Sequence, residues 1–362
     1  MIQSGGDWVP TRAGAQSLLT LIHPDSLPGS NEPITRTESV IRMIETTGNT
    51  NKRALRSGEP KVRKKRLSSD GKWGLIMVTP YIVHFIVFVL GCLLASLYFS
   101  FSKYDILNPP EWTGLDNYVK LFHEPVFWKA LKNTLYFTVL FVPLQTILSL
   151  ILAVALNQRL RGLKVFRLSH FLPVISSWTV ILYVSDAIFN PRFGFANTIL
   201  VKLGLDPQKW LQDEHLVIPL LVLIAVWKGI GYIMVIFLAG LQNVPSEVYE
   251  AAEIDGAGTF RKFRNITIPL ISGTTFLVLI LSTISTFQAF EQIYVMTGGA
   301  MDASSAGGPN KASLVLMIYL YQEGFSFLRM GYASAIAWVL FVILFILTVI
   351  QMTLQKKWVH YE

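Results

Sequence analysis

The chain has 362 residues, of which 52% are hydrophobic types and only 15% are charged, and its mean hydropathy is +0.47. Ordinary soluble domains carry about 25% charged residues, so this composition favours a protein embedded in a bilayer over a soluble enzyme. The single cysteine, Cys92, excludes an intrachain disulfide framework and a structural zinc site built on cysteines.

The net charge of +8 is concentrated near the N-terminus. Residues 1–72 hold 12 Lys and Arg against 7 Asp and Glu, whereas the other 290 residues hold 19 against 16. Residues 1–70 show no apolar period, so we expect a cytoplasmic, largely disordered basic tail. Its basic cluster at 61–66 precedes the first apolar run within ten residues. This position indicates binding to anionic membrane lipids and argues against a nucleic-acid partner.

Six apolar runs follow the tail, and each reaches the roughly 20 residues that a helix needs to cross the hydrocarbon layer. Because backbone groups cannot stay unsatisfied in lipid, these runs must be helices. The sequence therefore predicts an all-α membrane domain of six spans over residues 71–362, with long loops near 102–134, 190–215 and 297–331. Pro173 predicts a kink or an interfacial start in the third span. The six predicted spans cover 75–101, 135–156, 165–189, 216–241, 269–296 and 332–354.

The basic residues that flank the spans predict the orientation in the membrane. With the N-terminus inside, the cytoplasmic flanks hold 15 Lys and Arg and the opposite side holds 9. This bias follows the positive-inside rule. We therefore expect a multi-pass protein of a bacterial or archaeal cell membrane with both termini in the cytoplasm.

The loop over residues 243–268, between the fourth and fifth spans, carries the most specific pattern. Pro245 suits the first turn of a helix, Glu247 favours the positive end of a helix dipole, and Gly256 can adopt the left-handed conformation that ends a helix. These signals predict a helix of about two turns, which is too short to be stable alone in water. The helix must therefore be braced by packing against its own protein or a partner.

This loop resembles the signature loop of the permeases of ATP-binding-cassette importers. That pattern is Glu-Ala-Ala, three residues, Gly, nine residues, then Ile-x-Leu-Pro, with Ile268 standing here where Leu is usual. The flanking sequence is similar to the carbohydrate-uptake branch of maltose-transporter-permease type, and the resemblance covers roughly residues 72–358. The residues that carry the resemblance include Gly114 to Tyr118, Asn133-Thr134, Trp227-Lys228-Gly229, Phe237 to Gln242, Glu250-Ala251-Ala252, Gly256, Ile266 and Pro269.

The resemblance implies the type I importer permease fold, in which the short helix couples to ATPases. The chain has no phosphate-binding Gly-x-x-x-x-Gly-Lys-Ser/Thr loop, so ATP must be bound by partner subunits, and neither a cofactor nor a metal is expected. The implied partners are a second homologous permease, two ATPase subunits and an extracytoplasmic solute-binding protein. The residues expected to couple to the ATPases are Glu247, Glu250, Ala251, Ala252, Asp255 and Gly256.

Charged and aromatic residues within the fourth and fifth spans are candidates for the transport path. Lys228 lies midway in the fourth span, where a charge costs about 3 kcal/mol on insertion scales, so it should face a wet cavity or a partner. Glu291 is the natural counter-charge, and an ion pair between them and a contact with substrate both remain open. Aromatic faces with polar edges suit sugar rings. The candidates are Trp227, Lys228, Tyr232, Phe287, Gln288, Glu291 and Tyr294.

Two other classes of function remain as alternatives. A stand-alone ion-coupled secondary transporter is expected to show inverted repeats with matched broken helices, and the sequence shows no sign of them. A non-transporting membrane scaffold would use Lys228 and Glu291 only as a structural pair. The identity of the sugar, polyol or glycerol phosphate does not follow from the sequence.

Overall fold

The computed structural model describes residues 69–158, 162–299, 302–357 and 359. The tail over 1–70 therefore lies almost wholly outside the described residues. The chain divides into two compact units, Met1–Thr79 and Pro80–Glu362, and every element after the first helix belongs to the second unit.

The N-terminal part of the described chain is helical up to a short β-ribbon. It contains α1 (Ser69–His84), a π-helical segment (Phe85–Leu90) and α2 (Gly91–Ser100). Two short antiparallel strands follow, β1 (Ser102–Lys103) and β2 (Glu111–Trp112). This ribbon is a small departure from the all-α prediction, and the rest of the described chain is helices and loops.

The middle of the chain holds two long continuous helices and one broken helix. The elements are α3 (Asp116–His123), α4 (Pro125–Leu156), α5 (Leu163–Ile175), α6 (Trp178–Phe189), α7 (Phe195–Lys202), a 3₁₀ turn (Trp210–Gln212) and α8 (Val217–Gln242). The second span was predicted to start at residue 135, but α4 starts ten residues earlier. Pro125 occupies its first position, where a missing N–H costs nothing.

The C-terminal part is divided into more pieces than predicted. It contains α9 (Ser246–Ile254), α10 (Thr259–Lys262), a π-helical segment (Phe263–Thr267), α11 (Ile268–Leu270), α12 (Ser272–Phe287), α13 (Glu291–Met296), 3₁₀ turns (Ala303–Ser305 and Pro309–Lys311), α14 (Leu316–Tyr321), a second π-helical segment (Gln322–Ser326) and α15 (Met330–Gln355). The fifth span is thus not one continuous helix over 269–296, because the chain breaks after Phe287 and resumes helically at Glu291.

Four described helices are long and apolar enough to cross a membrane, and two bent helix pairs raise the number to as many as six. Residues 165–175 and 178–189 are bent by 104°, and residues 259–270 and 272–287 by 67°. The six predicted apolar segments agree with the upper number, and the third span is bent as expected, whereas the bend of the fifth was not predicted. Pro173 lies inside α5, and the break falls later, at Ser176 and Ser177.

The buried core forms where α4 and α8 pack together, joined by the segments around α13 and α14. Small residues allow this close packing. At Gly231, an added Cβ would lie 2.1 Å from the carbonyl oxygen of His170, so α8 and α5 touch through their backbones. A second core cluster, around Met234, Phe237 and Val278, lies toward the other end of α8.

Candidate functional site

The third span breaks between α5 and α6, and the backbone groups at the two helix ends need hydrogen-bond partners outside their own helices. The last carbonyls of a helix have no partner within that helix. Ser176 N donates to Pro173 O at 3.3 Å, and the Ser177 side chain caps α6 by accepting a hydrogen bond from Val180 N. The carbonyl of Val174, one residue from the end of α5, is bonded by a side chain from another helix.

That side chain is Lys228 of α8. Its Nζ donates a hydrogen bond to Val174 O at 3.1 Å and lies 4.9 Å from the centroid of the Trp178 ring. A cation at the C-terminal end of a helix is favourable because the helix dipole is negative there. The face of a Trp ring attracts the same charge. The Val174 carbonyl before the break and the Trp178 ring after it therefore both stabilise the ammonium, whose charge is unfavourable within a membrane span.

Lys228 forms part of the wall of a cavity of about 210 Å³, here named the Lys228 pocket. Residues from α4, the broken third span, α8 and α12 surround it, with one more from α13. Its lining residues are Phe137, Phe141, Val174, Trp178, Ala225, Lys228, Gly229, Tyr232, Ser285, Thr286 and Gln292. The pocket thus combines two aromatic rings stacked 5.7 Å apart, Phe137 and Phe141, with hydroxyl, amide and ammonium groups.

The seven residues predicted for the transport path are spread over different environments. Lys228 and Tyr232 line the pocket, whereas Trp227 is exposed on α8 and does not. Phe287 is 1% exposed and belongs to the hydrophobic core. Gln288 is exposed at the end of α12. Tyr294 stacks on Phe290 at 4.9 Å and meets Tyr321 edge-on, away from the pocket lining.

Glu291 does not pair with Lys228. Neither of the two ion pairs among the described residues involves either side chain. The break after Phe287 makes Glu291 the exposed first residue of α13, where a carboxylate favours the positive end of the helix dipole. The ion-pair alternative raised by the sequence is therefore absent from this conformation, because each charge is stabilised by the end of a different helix.

Most of the pocket lining carried no signal in the sequence. Gly229 follows Lys228 in a motif, but its role is to allow Gln145 of α4 to approach, since a Cβ there would lie 3.2 Å from Gln145 Nε2. Gln145 is 1% exposed, and neither its Oε1 nor its Nε2 has a hydrogen-bond partner among the described residues. A buried amide without partners costs about 1–3 kcal/mol. Such a side chain beside a cavity marks the region as more than a packing core.

The loop that carries the Glu-Ala-Ala pattern forms the predicted short helix. Pro245 lies immediately before the first residue of α9, at the N-cap position, and Gly256 has a φ of +73°, so its left-handed conformation is confirmed. Gly256 N bonds to Glu253 O at 3.0 Å and Ala257 N bonds to Ala252 O at 2.9 Å. These two bonds constitute a Schellman motif, which satisfies the last carbonyls of the helix.

The helix α9 presents most of its surface to solvent. None of its residues is buried, and Ala252 and Tyr249 are only half-buried. Tyr249 OH lies 3.0 Å from Thr267 Oγ1, and Lys262 Nζ donates to Glu253 Oε1 at 2.6 Å. The hydrogen bond and charge of Lys262 lower the pKa of the Glu253 carboxyl. The exposed Glu247, Glu250, Ala251 and Asp255 remain free of such contacts among the described side chains.

Two asparagines noted in the sequence hold loops to helices. Asn133 of α4 donates from Nδ2 to the carbonyls of Lys311 and Leu314, both at 3.0 Å. Asn117 of α3 donates in the same way to the carbonyls of Ser100 and Ser102, at 3.0 and 2.9 Å. Both amides thus serve as structural clamps rather than as part of the pocket.

Comparison with known proteins identifies the family. Residues 122–360 match the family model described as binding-protein-dependent transport system inner membrane component. The fold resembles that of a solved bacterial alginate transporter of the ATP-binding-cassette class in complex with an alginate-bound periplasmic protein. The TM-score is 0.67 and the identity is 23%, over 81% of this chain and 98% of that one.

Curated relatives support the same assignment. The probable permease YesP of Bacillus subtilis is 35% identical over 84% of this chain and 98% of its own length. The arabinooligosaccharide permease AraP of the same organism is 37% identical, over 77% and 87%. The trehalose/maltose permease MalF of Thermococcus litoralis is 32% identical, over 79% and 95%. The chain therefore belongs to the binding-protein-dependent transport system inner membrane components, the permease subunits, as distinct from the ATPase subunits, of importers of the ATP-binding-cassette class.

Proposed function

We propose that the chain forms one half of the path by which an ATP-driven importer moves a carbohydrate, a polyol or a glycerol phosphate into the cell. The observation that carries this proposal is the Lys228 pocket, which brings aromatic faces and polar groups together within the spans. Sugar rings bind to such combinations because they have apolar faces and hydroxyl edges. Relatives that carry arabinooligosaccharides, lactose and trehalose or maltose support the carbohydrate class.

The proposed path residues are those that line the pocket or lie near it. Lys228 and Tyr232 line it directly, and Gln145 presents an unpartnered amide next to Gly229. The predicted contacts through Trp227, Phe287, Gln288, Glu291 and Tyr294 lie outside the pocket lining and stay predictions.

The coupling to ATP hydrolysis is proposed to run through α9. Its exposed residues Glu247, Glu250 and Ala251 are available to a partner, and the Schellman motif at Gly256 fixes the end of the helix. Closure of two ATPase subunits around ATP would pull the docked helices together and switch the spans between inward- and outward-facing states. A second permease and an extracytoplasmic solute-binding protein complete the proposed complex.

The proposed orientation places α9 and both chain termini in the cytoplasm. Arg261, Lys262 and Arg264 follow α9 in sequence, as the positive-inside rule requires. Residues 1–70 are proposed to be a basic tail whose cluster at 61–66 contacts anionic lipids, and residues 1–60 are proposed to be dispensable for transport.

Co-purification with charge-reversal variants tests the coupling. Glu250→Arg should reduce recovery of the ATPase subunits with the tagged permease, because it reverses an exposed charge at the proposed contact. Glu111→Arg, an exposed carboxylate on β2, is the matched control and should leave recovery unchanged. Docking through α9 would be contradicted if both variants recovered equal amounts of the ATPase subunits and a variant lacking residues 246–254 recovered the same amount.

Uptake measurements test the class of transporter. Cells that lack the chain should lose accumulation of its carbohydrate and regain it with the wild-type chain. An ATPase subunit that cannot hydrolyse ATP should abolish this recovery. Uptake that persists with the inactive ATPase but collapses with an ionophore would favour an ion-coupled transporter. Normal accumulation without the chain would favour a scaffold.

A further inference from the structure

We propose that the carbohydrate bound in the Lys228 pocket carries a negative charge, as a carboxylate, phosphate or sulfonate group, and that the Lys228 ammonium binds this group. This inference rests on the proposed function and deepens it by naming the class of substrate.

The charge balance of the pocket supports an anionic ligand. Lys228 is the one charged side chain among its described lining residues, and no carboxylate lines it. The partners of the ammonium are both neutral, a backbone carbonyl and an aromatic face. A full positive charge thus faces a cavity within the membrane span without a counter-ion in contact. Ionisable residues in such positions mark substrate or ion pathways.

Glu291 does not supply the missing counter-ion. It lies outside the pocket lining, is exposed, and makes no ion pair among the described residues. Its neighbour Gln292 lines the pocket instead, and its amide carries no charge. Glu291 therefore acts on Lys228 through space and makes no direct contact with it among the described residues.

The end of α5 and the Trp178 ring use only part of the hydrogen-bonding capacity of the lysine ammonium. A neutral amide at position 228 could donate to the Val174 carbonyl without bringing a charge into the membrane. The ammonium has three donors, of which one is used by Val174 and another faces the Trp178 ring. The remaining donor has no partner among the described residues and can bind a ligand, and a lysine ammonium is a common partner of phosphate and carboxylate groups.

The rest of the lining suits the uncharged part of the same ligand. Tyr232, Ser285 and Thr286 offer hydroxyl groups, and the stacked Phe137 and Phe141 offer an apolar surface. The volume of about 210 Å³ is below the roughly 300–1,000 Å³ of most ligand pockets. It therefore accommodates one charged unit at the end of a saccharide, while the remainder lies beyond the pocket.

The test measures binding to the purified importer complex by ligand-dependent thermal stability. The solute-binding protein is left out, so that binding to the solute-binding protein does not contribute to the measured shift. Two matched pairs of probes are used. Trehalose 6-phosphate is compared with trehalose, and digalacturonate with galactobiose. We expect at least one anionic probe to bind at least tenfold more tightly than its neutral counterpart. The pair that shows the preference distinguishes a phosphate from a carboxylate.

Variants assign the preference to the pocket. Lys228→Gln keeps a donor for Val174 and should remove the preference, whereas Lys228→Arg should retain it. Ser285→Asp places a carboxylate in the lining and should also remove it, independently of any effect on the break. Lys202→Gln, an exposed lysine of α7, is the matched control and should change nothing.

Equal binding of the neutral and anionic probes, or a preference that persists in both Lys228→Gln and Ser285→Asp, would overturn the inference while leaving the proposed function intact. Absence of binding by all four probes would also overturn the inference, whereas the proposed function is overturned only by the uptake measurements described above.

Discussion

The Lys228 ammonium is hydrogen-bonded to the carbonyl of Val174 at 3.1 Å, across the interface between α8 and the broken third span. This hydrogen bond joins the one lysine within the fourth span to a backbone carbonyl at the break of the third span. Each feature alone is unfavourable in a membrane, and together they offset one another.

Because Lys228 and Glu291 interact only through space and not as an ion pair, we predict that they are weakly coupled in stability. The sequence favoured coupling between them, but the ion pair is absent. In a double-mutant cycle, Lys228→Met and Glu291→Gln should show a coupling in the free energy of unfolding of no more than about 1 kcal/mol, well below that of a buried ion pair. Thermal unfolding of the purified complex measures each term. A coupling above about 1 kcal/mol would show that the two side chains meet in the assembled protein.

Gly231 should be intolerant of any side chain. An added Cβ would lie 2.1 Å from His170 O, so Gly231→Ala should force α8 and α5 apart and destabilise the chain by about 1–3 kcal/mol. Gly74→Ala in α1 is the control, since nothing lies within 4 Å of its added Cβ. Denaturation monitored by circular dichroism compares the two, and equal stabilities would contradict the close approach.

Gly256→Val is expected to uncouple transport from ATP hydrolysis. A β-branched residue is strained at a φ of +73°, so the Schellman motif and the end of α9 should be lost. Gly258→Val is a matched control in the same loop, because Gly258 has a φ of −65° and open space around its added Cβ. Substrate-stimulated ATPase activity should fall in the first variant and persist in the second. Unchanged stimulation in a well-inserted Gly256→Val protein would refute this role.

Asn133→Ala should weaken the attachment of the 311–314 loop to α4. It removes two hydrogen bonds and leaves two carbonyls to find other partners, with an expected cost of about 2–3 kcal/mol. Asn190→Ala, which removes an amide bonded to the Asp186 side chain at the surface, provides the comparison. Proteolysis rates within the loop should rise only in the first variant, and similar rates in both would argue against the clamp.

Gln145 allows a test that separates stability from function. Gln145→Met keeps a similar volume and removes an amide that has no partner among the described residues, so the free energy of unfolding should rise by about 1 kcal/mol. If the amide serves the transport path, uptake should fall in the same variant. Lower stability would show that partners outside the described residues satisfy the amide.

The local sequence predicted those features that depend on composition and on single residues. The six apolar segments follow from hydropathy, and the ends of α9 follow from Pro245 and Gly256. The break at Ser176 and Ser177 could not be predicted in place, because neither residue forces a break and Pro173 is accommodated inside α5. The start of α4 at Pro125 was not predicted, because the residues between Pro125 and the apolar run include polar ones.

The candidate site was predicted at two of its lining residues, Lys228 and Tyr232. Lys228 stood out because a lysine in a span is rare. Its partner is a backbone carbonyl, and such a partner cannot be predicted from the types of the side chains. Phe287 resembled a sugar-binding aromatic and is a core residue. Ser285 and Thr286 resembled ordinary small residues of a span, and only the packing of α12 places them in the pocket.

The exposure of α9 has a consequence for the life of the unassembled chain. A nine-residue helix that buries none of its residues gains little from its own protein, so it opens more readily than the long helices around it. Proteases and amide hydrogen exchange should therefore attack the orphan subunit first at this segment, and binding of a partner there should suppress both. Protection of these nine residues from proteolysis and exchange would then distinguish assembled copies of the chain from unassembled copies that are subject to degradation.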